Sequence, residues 1–364
     1  MEQTILSPKG GYEDVDRFFR ERMIRRVFLV CGNSISKLNL DPYFKTLPQR
    51  LGIEVTRFSR FQPNPRYESV CEGVEAFRHS RCDCIVAVGG GSAMDVAKCV
   101  KLFAPLDPSV PYLRQELLPS AIPLLAVPTT AGTGSEATGF AVIYEQGVKR
   151  SVAQESSIPD GVLFDPSVLT HVPDYHRKAT MLDALCHSVE AFWSVQATPE
   201  SREYSTQALQ TLFAHWDGYL DNRAEDNEAM QQAAYLAGKA INLAKTTAAH
   251  AMSYKMTSLY GIAHGHAAAL CLIPVWSCLT QLARGEELQR VFSDLARAVG
   301  CLDSQSAVAF VKERMESLGL GVPIPEEKDF ALLTASVDPQ RLGNTPVTLD
   351  NDTICQLYRR VFAV

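Results

Sequence analysis

The spacing of apolar residues changes character about halfway along this chain of 364 residues. In the first half, short apolar runs rich in β-branched residues each end at glycine or turn residues, and amphipathic stretches separate them. The runs that predict strands are residues 25–33, 52–61, 82–91 and 121–130. Residues 139–156 have the pattern of a hairpin that turns at Gln146–Gly147, and residues 161–168 indicate one more short strand. This alternation predicts a parallel sheet with crossover helices.

From about residue 174 the strand pattern disappears and apolar residues recur at helical spacing. Examples are DYHRKATMLDALCHSVEAFWS at 174–194 and NEAMQQAAYLAGKAINLAK at 227–245. Such stretches predict a second half made of helices alone. We therefore expect an α/β domain over residues 1–173 and an all-helical domain over residues 174–364, sharing a tight cleft.

Composition and charge narrow the class of partner. The chain is 46% hydrophobic with a formal net charge of -6, and it has no basic stripe, which argues against nucleic acid or an anionic membrane as partner. A small molecule is the expected partner. There is no secretory leader pattern and no apolar run of about 18 residues, so a cytoplasmic location is expected. The ten cysteines are scattered without a CxxC pair, which is typical of reduced, buried thiols.

Two glycine-rich stretches follow predicted strands. In CIVAVGGGSAMDVAK, a strand passes through Gly89, Gly90 and Gly91 into a helix that Ser92 opens. Glycines let a backbone approach a ligand closely, and free N–H groups at a helix start favour phosphate, although a tight structural turn needs the same residues. The second stretch, PTTAGTGSEAT at 128–138, offers hydroxyls and backbone donors. Together they predict the crevice where open α/β sheets bind nucleotides.

The second half contains a carboxylate and three histidines suited to a metal ion. Asp183 and His187 are four residues apart and so lie on one face of a helix, a common spacing that proves little alone. His250 lies on a later helix and His264 follows a Gly-Ile-Ala turn, so a chain reversal can bring both to one point. One carboxylate and three imidazoles suit Fe(II) or Zn(II) with room for a substrate oxygen.

At this point the chain resembles the iron-dependent (group III) alcohol dehydrogenases, which share their fold with glycerol dehydrogenase and dehydroquinate synthase. The resemblance covers nearly the whole chain, in the order FQPNPRYESV, VAVGGGSAMDVAK, VPTTAGTGSEAT, IPDGVLFDPSVL, DALCHSVEAFWS and the segment from His250 to His264. It implies an α/β dinucleotide-binding domain with a parallel sheet, an all-helical metal domain, a homodimer, and a reversible metal-dependent reaction between an aldehyde and an alcohol with NAD(P)H.

The resemblance also implies roles for individual residues. The metal ligands would be Asp183, His187, His250 and His264. The nucleotide pyrophosphate would lie at Gly89, Gly90, Gly91, Ser92 and Asp95, and the nicotinamide end at Thr129, Thr130, Thr133 and Ser135.

Two positions near the metal depart from the family. Many members carry a further histidine four residues after the first metal histidine of this segment, where this chain has Tyr254. A tyrosine can donate a hydrogen bond or relay a proton, so Tyr254 is our expected catalytic residue. His266 is unusual as well and is expected to be a second catalytic residue through a substrate contact, although a packed role beside the ligands accounts for it equally.

The end of the first predicted strand bears on the cofactor. NAD-preferring relatives often have an aspartate there, whereas this chain has Gly32 followed by Asn33 and Ser34. Without that charge a 2′-phosphate is not repelled, so we expect NADP(H) to be preferred and NAD(H) to be the other option. A plain turn would explain the same residues.

The substrate is expected to be a small aldehyde or alcohol. Lys245, Thr246 and Lys255 surround the metal helix, and lysines beside the aldehyde would suit an anionic tail such as a phosphonate, although solvated surface lysines are common. This combination resembles the branch of the family that reduces phosphonoacetaldehyde to 2-hydroxyethylphosphonate. Reduction of neutral short-chain aldehydes or diols, and a lyase reaction of the dehydroquinate synthase type, are the alternatives.

Overall fold

A computed structural model of the chain describes residues 3–363 and, Lys9 aside, their side chains. The chain divides into two compact units. The first unit extends to Thr130 and resumes over Gly134–Val172, and the second holds Ala131–Thr133 and the chain from Pro173 onward. Three residues of a loop in the first half therefore belong to the second unit, which the apolar pattern does not indicate.

The first unit is built on a parallel sheet, which confirms the predicted fold class. Its six strands have the order β1-β8-β5-β4-β2-β3, and every neighbouring pair is parallel. The hairpin predicted around Gln146–Gly147 forms a separate antiparallel pair. The strands are β1 (Thr4–Leu6), β2 (Arg26–Cys31), β3 (Glu54–Phe58), β4 (Cys84–Gly89), β5 (Leu124–Pro128), β6 (Phe140–Glu145), β7 (Val148–Ala153) and β8 (Gly161–Leu163).

Four helices belong to this unit: α1 (Lys9–Glu21), α2 (Leu40–Leu51), α3 (Tyr67–Ser80) and α4 (Gly91–Phe103). The strands in the middle of the sheet are continuous apolar runs rather than alternating ones, because helices cover both faces of a parallel sheet. Residues Leu124–Val127 of β5, for example, are completely buried.

The strand order creates a switch point at the carboxyl edge of the sheet. From β2 the chain moves outward to β3, whereas from β4 it moves the opposite way to β5. Ligands of open α/β sheets bind in the crevice at such a reversal. Gly32 follows β2 and Gly90 follows β4, so both glycine turns flank this crevice.

The second unit is all-helical, as predicted. Its helices are α5 (Asp174–Trp193), α6 (Pro199–Ala214), α7 (Trp216–Leu220), α8 (Ala224–Ala244), α9 (Ala248–Tyr260), α10 (His264–Leu282), α11 (Glu286–Ala298), α12 (Ser304–Glu316), α13 (Glu327–Ala335), α14 (Pro339–Leu342) and α15 (Asn351–Phe362). Helix α10 is long and apolar enough to cross a membrane by length and composition alone, but most of it is buried inside this unit. It is a core helix that packs against α5 and α9.

Candidate active site

The glycine turn after β4 brings backbone close to a neighbouring loop. A Cβ atom on Gly90 would lie 3.2 Å from the hydroxyl oxygen of Thr130, and one on Gly89 would lie 2.6 Å from the Cβ atom of Ala93. The hydroxyl of Thr130 is itself buried and has no hydrogen-bond partner within residues 3–363. Because α4 begins at Gly91, its free N–H groups open onto this turn and suit a phosphate.

The neighbouring residues predicted for the nucleotide form the same edge. Gly32, Asn33 and Ser34 lie at the start of a short 3-10 turn after β2. The amide of Thr129 donates to the carbonyl of Gly89 at 3.0 Å, which ties the two glycine-rich loops together. The hydroxyl of Ser92 accepts a hydrogen bond from the backbone of a preceding loop at 3.3 Å.

Asp95 and Ser135 lie in a different environment from the one expected. The ammonium group of Lys98 donates to the hydroxyls of Ser135 at 3.2 Å and Thr138 at 2.9 Å. Asp95 lies beside it, and burial raises the pKa of Asp95 and lowers the pKa of Lys98. Lys98 is thus hydrogen-bonded to hydroxyls, with half-buried Asp95 close enough to interact with it electrostatically, while Thr133 belongs to the second unit. Their assignment to the nucleotide stays a prediction.

Three of the four predicted metal ligands come together in the second unit. Asp183 and His187 lie one turn apart on α5, and His250 lies on α9. Each offers one ligand atom, and these atoms all lie within 4.8 Å of one another. The Oδ1 atom of Asp183 is 3.5 Å from Nε2 of His250 and 3.8 Å from Nε2 of His187. The two histidine rings stack with their centroids 4.7 Å apart.

The chemistry of this cluster fits a cation. Asp183 Oδ1 and His250 Nε2 are buried without a hydrogen-bond partner among the described residues, a costly arrangement unless a metal ion satisfies both. Burial alone would raise the pKa of Asp183, but the imidazoles of His187, His264 and His250 hold it well below its usual range. Burial lowers the pKa of His187 to about 4 despite Asp183 nearby, so this imidazole is neutral and available as a ligand.

His264 lies beside these three residues rather than among them. It is the first residue of α10, and its ring centroid is 5.2 Å from that of His250. Its Nδ1 atom is 3.5 Å from the hydroxyl of Ser253. His264 is therefore adjacent to the cluster, and its role as the fourth ligand stays a prediction.

Two glycines that the sequence pattern did not indicate allow other segments of backbone to lie against α5 here. A Cβ atom on Gly265 would lie 2.1 Å from the carbonyl oxygen of Ala179 and 2.6 Å from the Cβ atom of Asp183. A Cβ atom on Gly132 would lie 2.2 Å from the carbonyl oxygen of Thr180. Only glycine permits backbone to approach α5 so closely at either position. The glycine between two histidines in HGH was the available signal for the first.

Tyr254 and His266 occupy different surroundings. The ring of Tyr254 stacks on that of His264, with centroids 5.4 Å apart and planes 11° apart. His266 follows His264 by two residues on α10, and residues two apart on a helix do not face the same way. Its Nδ1 atom is 3.2 Å from the hydroxyl of Tyr175, and it lines a cavity of about 250 Å³ whose other walls are mainly apolar. The catalytic role of His266 therefore stays a prediction.

The predicted substrate residues are joined by an arginine that the sequence analysis missed. Arg341 on α14 donates to the hydroxyl of Thr246 at 2.8 Å and lies over the ring of Tyr254, 5.7 Å from its centroid. Within the described chain it forms no ion pair with a carboxylate. Lys245 is half-buried with a φ of 63°, a strained conformation for a residue other than glycine. Lys255 lies on α9 away from the face that carries His250 and Tyr254.

Desolvation and the neighbouring Arg341 both lower the pKa of Lys245. Two like charges close together in a partly buried site repel each other, and a bound anion would relieve that repulsion. Arg341 lies 96 residues after Lys245 along the chain, so only the fold reveals the pair.

Comparison with known proteins agrees with this geometry. The profile described as "Iron-containing alcohol dehydrogenase" matches residues 3–166, and the profile described as "Fe-containing alcohol dehydrogenase family, C-terminal" matches residues 178–362. The chain is 32% identical to phosphonoacetaldehyde reductase from Streptomyces viridochromogenes over 80% of its own length and 79% of that protein. It is 31% identical to 1,3-propanediol dehydrogenase from Klebsiella pneumoniae, over 93% of this chain and 92% of that protein.

A solved structure extends the likeness to the whole fold. Sulfoacetaldehyde reductase from Bifidobacterium kashiwanohense, solved in complex with NAD+, superposes with a TM-score of 0.87 at 26% identity, covering 100% of this chain and 97% of that one. Two profiles that together span both units, and relatives above 30% identity over most of the chain, place it with dehydrogenases rather than with lyases of the dehydroquinate synthase type. The chain belongs to the iron-containing alcohol dehydrogenase family and is a metal-dependent, nicotinamide-linked alcohol dehydrogenase.

Proposed function

We propose that this enzyme reversibly reduces a short aldehyde with an anionic tail, and that phosphonoacetaldehyde, reduced to 2-hydroxyethylphosphonate, is the substrate that fits best. In the balanced reaction, the aldehyde, NAD(P)H and one proton give the alcohol and NAD(P)+. The observation that carries the proposal is the pair of neighbouring cations, Lys245 and Arg341, of which Arg341 lies over the ring of Tyr254. The names of two similar proteins, a phosphonoacetaldehyde reductase and a sulfoacetaldehyde reductase, support an anionic tail.

The proposed metal ligands are Asp183, His187, His250 and His264, and the donor set suits Fe(II) or Zn(II) equally. When bound, the metal ion supplies a Lewis acid for the substrate oxygen, and the reduced nicotinamide supplies two electrons. The chain keeps this site dry, because Asp183, His187 and His250 are each at most 6% exposed. A dry site strengthens every electrostatic interaction within it.

Tyr254 is the proposed proton donor. Burial raises the pKa of its phenol to about 12, so it keeps its proton at neutral pH and can donate a hydrogen bond to substrate. Its stacking on His264 puts it next to the proposed ligands, and its contact with Thr246 would link it to the site for the anionic tail. This arrangement supports a relay that runs from Thr246 through Tyr254.

The recognition of the tail is proposed to rest on Arg341 and Lys245, with Thr246 holding Arg341 in place. A guanidinium can give two parallel hydrogen bonds to a phosphonate or sulfonate, which a neutral aldehyde cannot accept. Reduction of neutral aldehydes is the second candidate, favoured by the comparable identity to 1,3-propanediol dehydrogenase.

The test compares phosphonoacetaldehyde, sulfoacetaldehyde, lactaldehyde and butyraldehyde on enzyme loaded with Fe(II) or Zn(II). Arg341→Gln should lower kcat/KM for phosphonoacetaldehyde about 10–100-fold, the loss expected for hydrogen bonds to a charged group, and change it little for butyraldehyde. Lys328→Gln, an exposed change in the same unit where Lys328 pairs with Glu326 at 2.6 Å, is the control and should have little effect on either. A wild-type enzyme that prefers butyraldehyde by a large factor, or equal losses for both substrates in Arg341→Gln, would refute the anionic-tail proposal.

The cofactor is proposed to be NADP(H) in preference to NAD(H). Gly32, Asn33 and Ser34 leave room and donors for a 2′-phosphate. The register of the parallel strands brings a cation to the same edge. Val30 of β2 pairs with Phe58 of β3, so Arg60, two residues after Phe58, comes next to Gly32, two residues after Val30. Arg60 is exposed and pairs with Glu72 at 3.1 Å, so it could turn to a phosphate at little cost.

A homodimer in the cytoplasm is proposed for the working enzyme. All ten cysteines are free thiols, most of them buried, as expected for a protein kept in a reducing compartment. Light scattering of the purified enzyme would decide the oligomeric state, since a monomeric mass would contradict the dimer.

A further inference from the structure

Glu190 is a buried carboxylate near the proposed metal ligands that the mechanism above does not use. It lies on α5, three residues after His187, and is completely buried. A completely buried carboxylate needs several donors to offset its desolvation. Among the described residues, Glu190 accepts its hydrogen bonds from the segment that carries His250.

The two oxygens of Glu190 have different tasks. Its Oε1 atom accepts hydrogen bonds from the backbone of Thr247 at 3.0 Å, the hydroxyl of Thr247 at 2.6 Å, and the backbone amides of Ala249 at 3.0 Å and His250 at 3.3 Å. These groups lie at the N-terminus of α9, where amides lack partners in their own helix. Within residues 3–363, its Oε2 atom has one hydrogen-bond partner, the Nδ1 atom of His250.

We propose that Glu190 is a positioning residue for the metal site, because it fixes the tautomer and the ring orientation of His250. With the Nδ1 proton held by Oε2, the lone pair of His250 is on Nε2, the atom that faces Asp183 at 3.5 Å. The Oε1 contacts fix the start of α9, and hence the backbone from which the ring projects. The inference depends on the metal site but not on which aldehyde is the substrate.

This division of tasks makes the effect of Glu190→Gln predictable. The side-chain amide of glutamine has a single oxygen. The donors around the present Oε1 position require that this oxygen occupy the Oε1 position. The amide NH2 group must then face Nδ1 of His250, where it can only donate. The imidazole would have to move its proton to Nε2, which removes the lone pair that a metal ion needs. Because the contacts to α9 are kept, the variant should still fold.

The experiment measures Zn(II) and Co(II) affinity by calorimetry on metal-stripped protein, together with the visible spectrum of the Co(II) form. Glu190→Gln should bind Zn(II) about 10–100-fold more weakly than wild type and give an altered Co(II) spectrum, as expected for loss of a group that orients a ligand. Ser188→Ala is the matched control, since among the described residues this buried hydroxyl on the same helix donates to the carbonyl of Ala184 alone, at 2.9 Å. It should bind Zn(II) as wild type does.

Equal Zn(II) affinity in wild type and Glu190→Gln would overturn the proposal, as would an equal loss in Ser188→Ala. A second measurement needs no variant. In Zn(II)-loaded wild type with isotope-labelled histidine, NMR should find His250 protonated at Nδ1 with Nε2 bound to the metal. The opposite tautomer would overturn the proposal even if Glu190→Gln failed to fold.

Discussion

The proposed phosphate turn of the first unit and the proposed metal cluster of the second are built by opposite means. The phosphate turn depends on missing atoms, since a Cβ atom on Gly89 would clash with Ala93 and one on Gly90 would crowd the hydroxyl of Thr130. The metal cluster depends on ionisable side chains, Asp183, His187 and His250, taken out of water. The first kind of site is limited by space, and the second by the cost of burying charge.

Two buried glutamates show how that cost is met. Glu190, in the second unit, has its pKa lowered despite its burial, because His250 and the donors at the start of α9 favour its charged form. Glu136, in the first unit, has its pKa raised to about 7, because burial outweighs its backbone contact and the nearby Lys98. Between these two glutamates, the pKa therefore falls where the chain supplies several donors, as at Glu190, and rises where it supplies few, as at Glu136.

The largest expected effect is in the metal cluster. Asp183→Asn keeps the shape of the side chain and removes its charge, so the metal affinity should fall about 1,000-fold or more, the cost of removing one partner from a buried charged set. Titration of metal-stripped protein with Zn(II) measures this. Asp174→Asn, an exposed change on the same helix, is the control, because Asp174 only pairs with Lys178 at the surface. Zn(II) affinity in Asp183→Asn equal to that of wild type would contradict the conclusion that the metal cluster, unlike the phosphate turn, depends on buried charge.

A smaller effect is expected at Glu136, and it tests whether an unsupported buried carboxylate stays neutral. Its folded pKa of about 7 lies above the ordinary value of 4.5, so its stabilising contribution is complete at low pH and is lost as the pH rises through about 7. Glu136→Gln cannot ionise and escapes this loss. Between about pH 5.5 and about pH 8.5, the free energy of unfolding of wild type should fall by about 2 kcal/mol relative to the variant.

Urea denaturation at the two pH values measures that difference. Glu155→Gln, an exposed change in the same unit, should keep the pH dependence of wild type. Parallel pH profiles for wild type and Glu136→Gln would mean that Glu136 is already ionised.

The smallest effect is expected at the edge of the phosphate site, where a charge is added rather than removed. A Cβ atom on Gly32 would meet nothing closer than the hydroxyl of Ser34 at 3.8 Å, so Gly32→Asp is sterically allowed. Its carboxylate should raise the KM for NADPH about tenfold more than the KM for NADH, through repulsion of the 2′-phosphate. Gly32→Asn has the same shape without the charge and should not discriminate. Equal effects of Gly32→Asp on both cofactors would contradict the proposed NADP(H) preference.

Local patterns predicted much of the fold. The apolar runs correspond to β2, β3, β4 and β5, and the turn at Gln146–Gly147 joins β6 to β7, because alternation and turn residues act within a few positions. The helical spacing that placed Asp183 and His187 on one face of α5 acts locally as well. The short strand β1 went unpredicted, since it is stabilised by pairing with β8, far along the chain.

The features of the site that the sequence did not predict depend on contacts between segments that are distant along the chain. Nothing near Glu190 in the chain indicates that it accepts the amides at the start of α9, and Arg341 stands in a short polar helix of ordinary appearance. Asp95 stays a predicted nucleotide residue through the family resemblance, and only the fold reveals Lys98 and Ser135 beside it. Patterns along a chain find elements and ligand types, while the partners that set their charge come from tertiary packing.

Gly132 has a consequence for how this protein is made. Gly132 is synthesised 48 residues before Thr180, whose backbone it lies against, and it belongs to the second unit although both flanks of its loop belong to the first. During synthesis on the ribosome, Ala131–Thr133 cannot contact Thr180 until α5 has emerged. A truncated polypeptide that stops at Val172 would carry the whole parallel sheet, but that loop would have nothing to lie against.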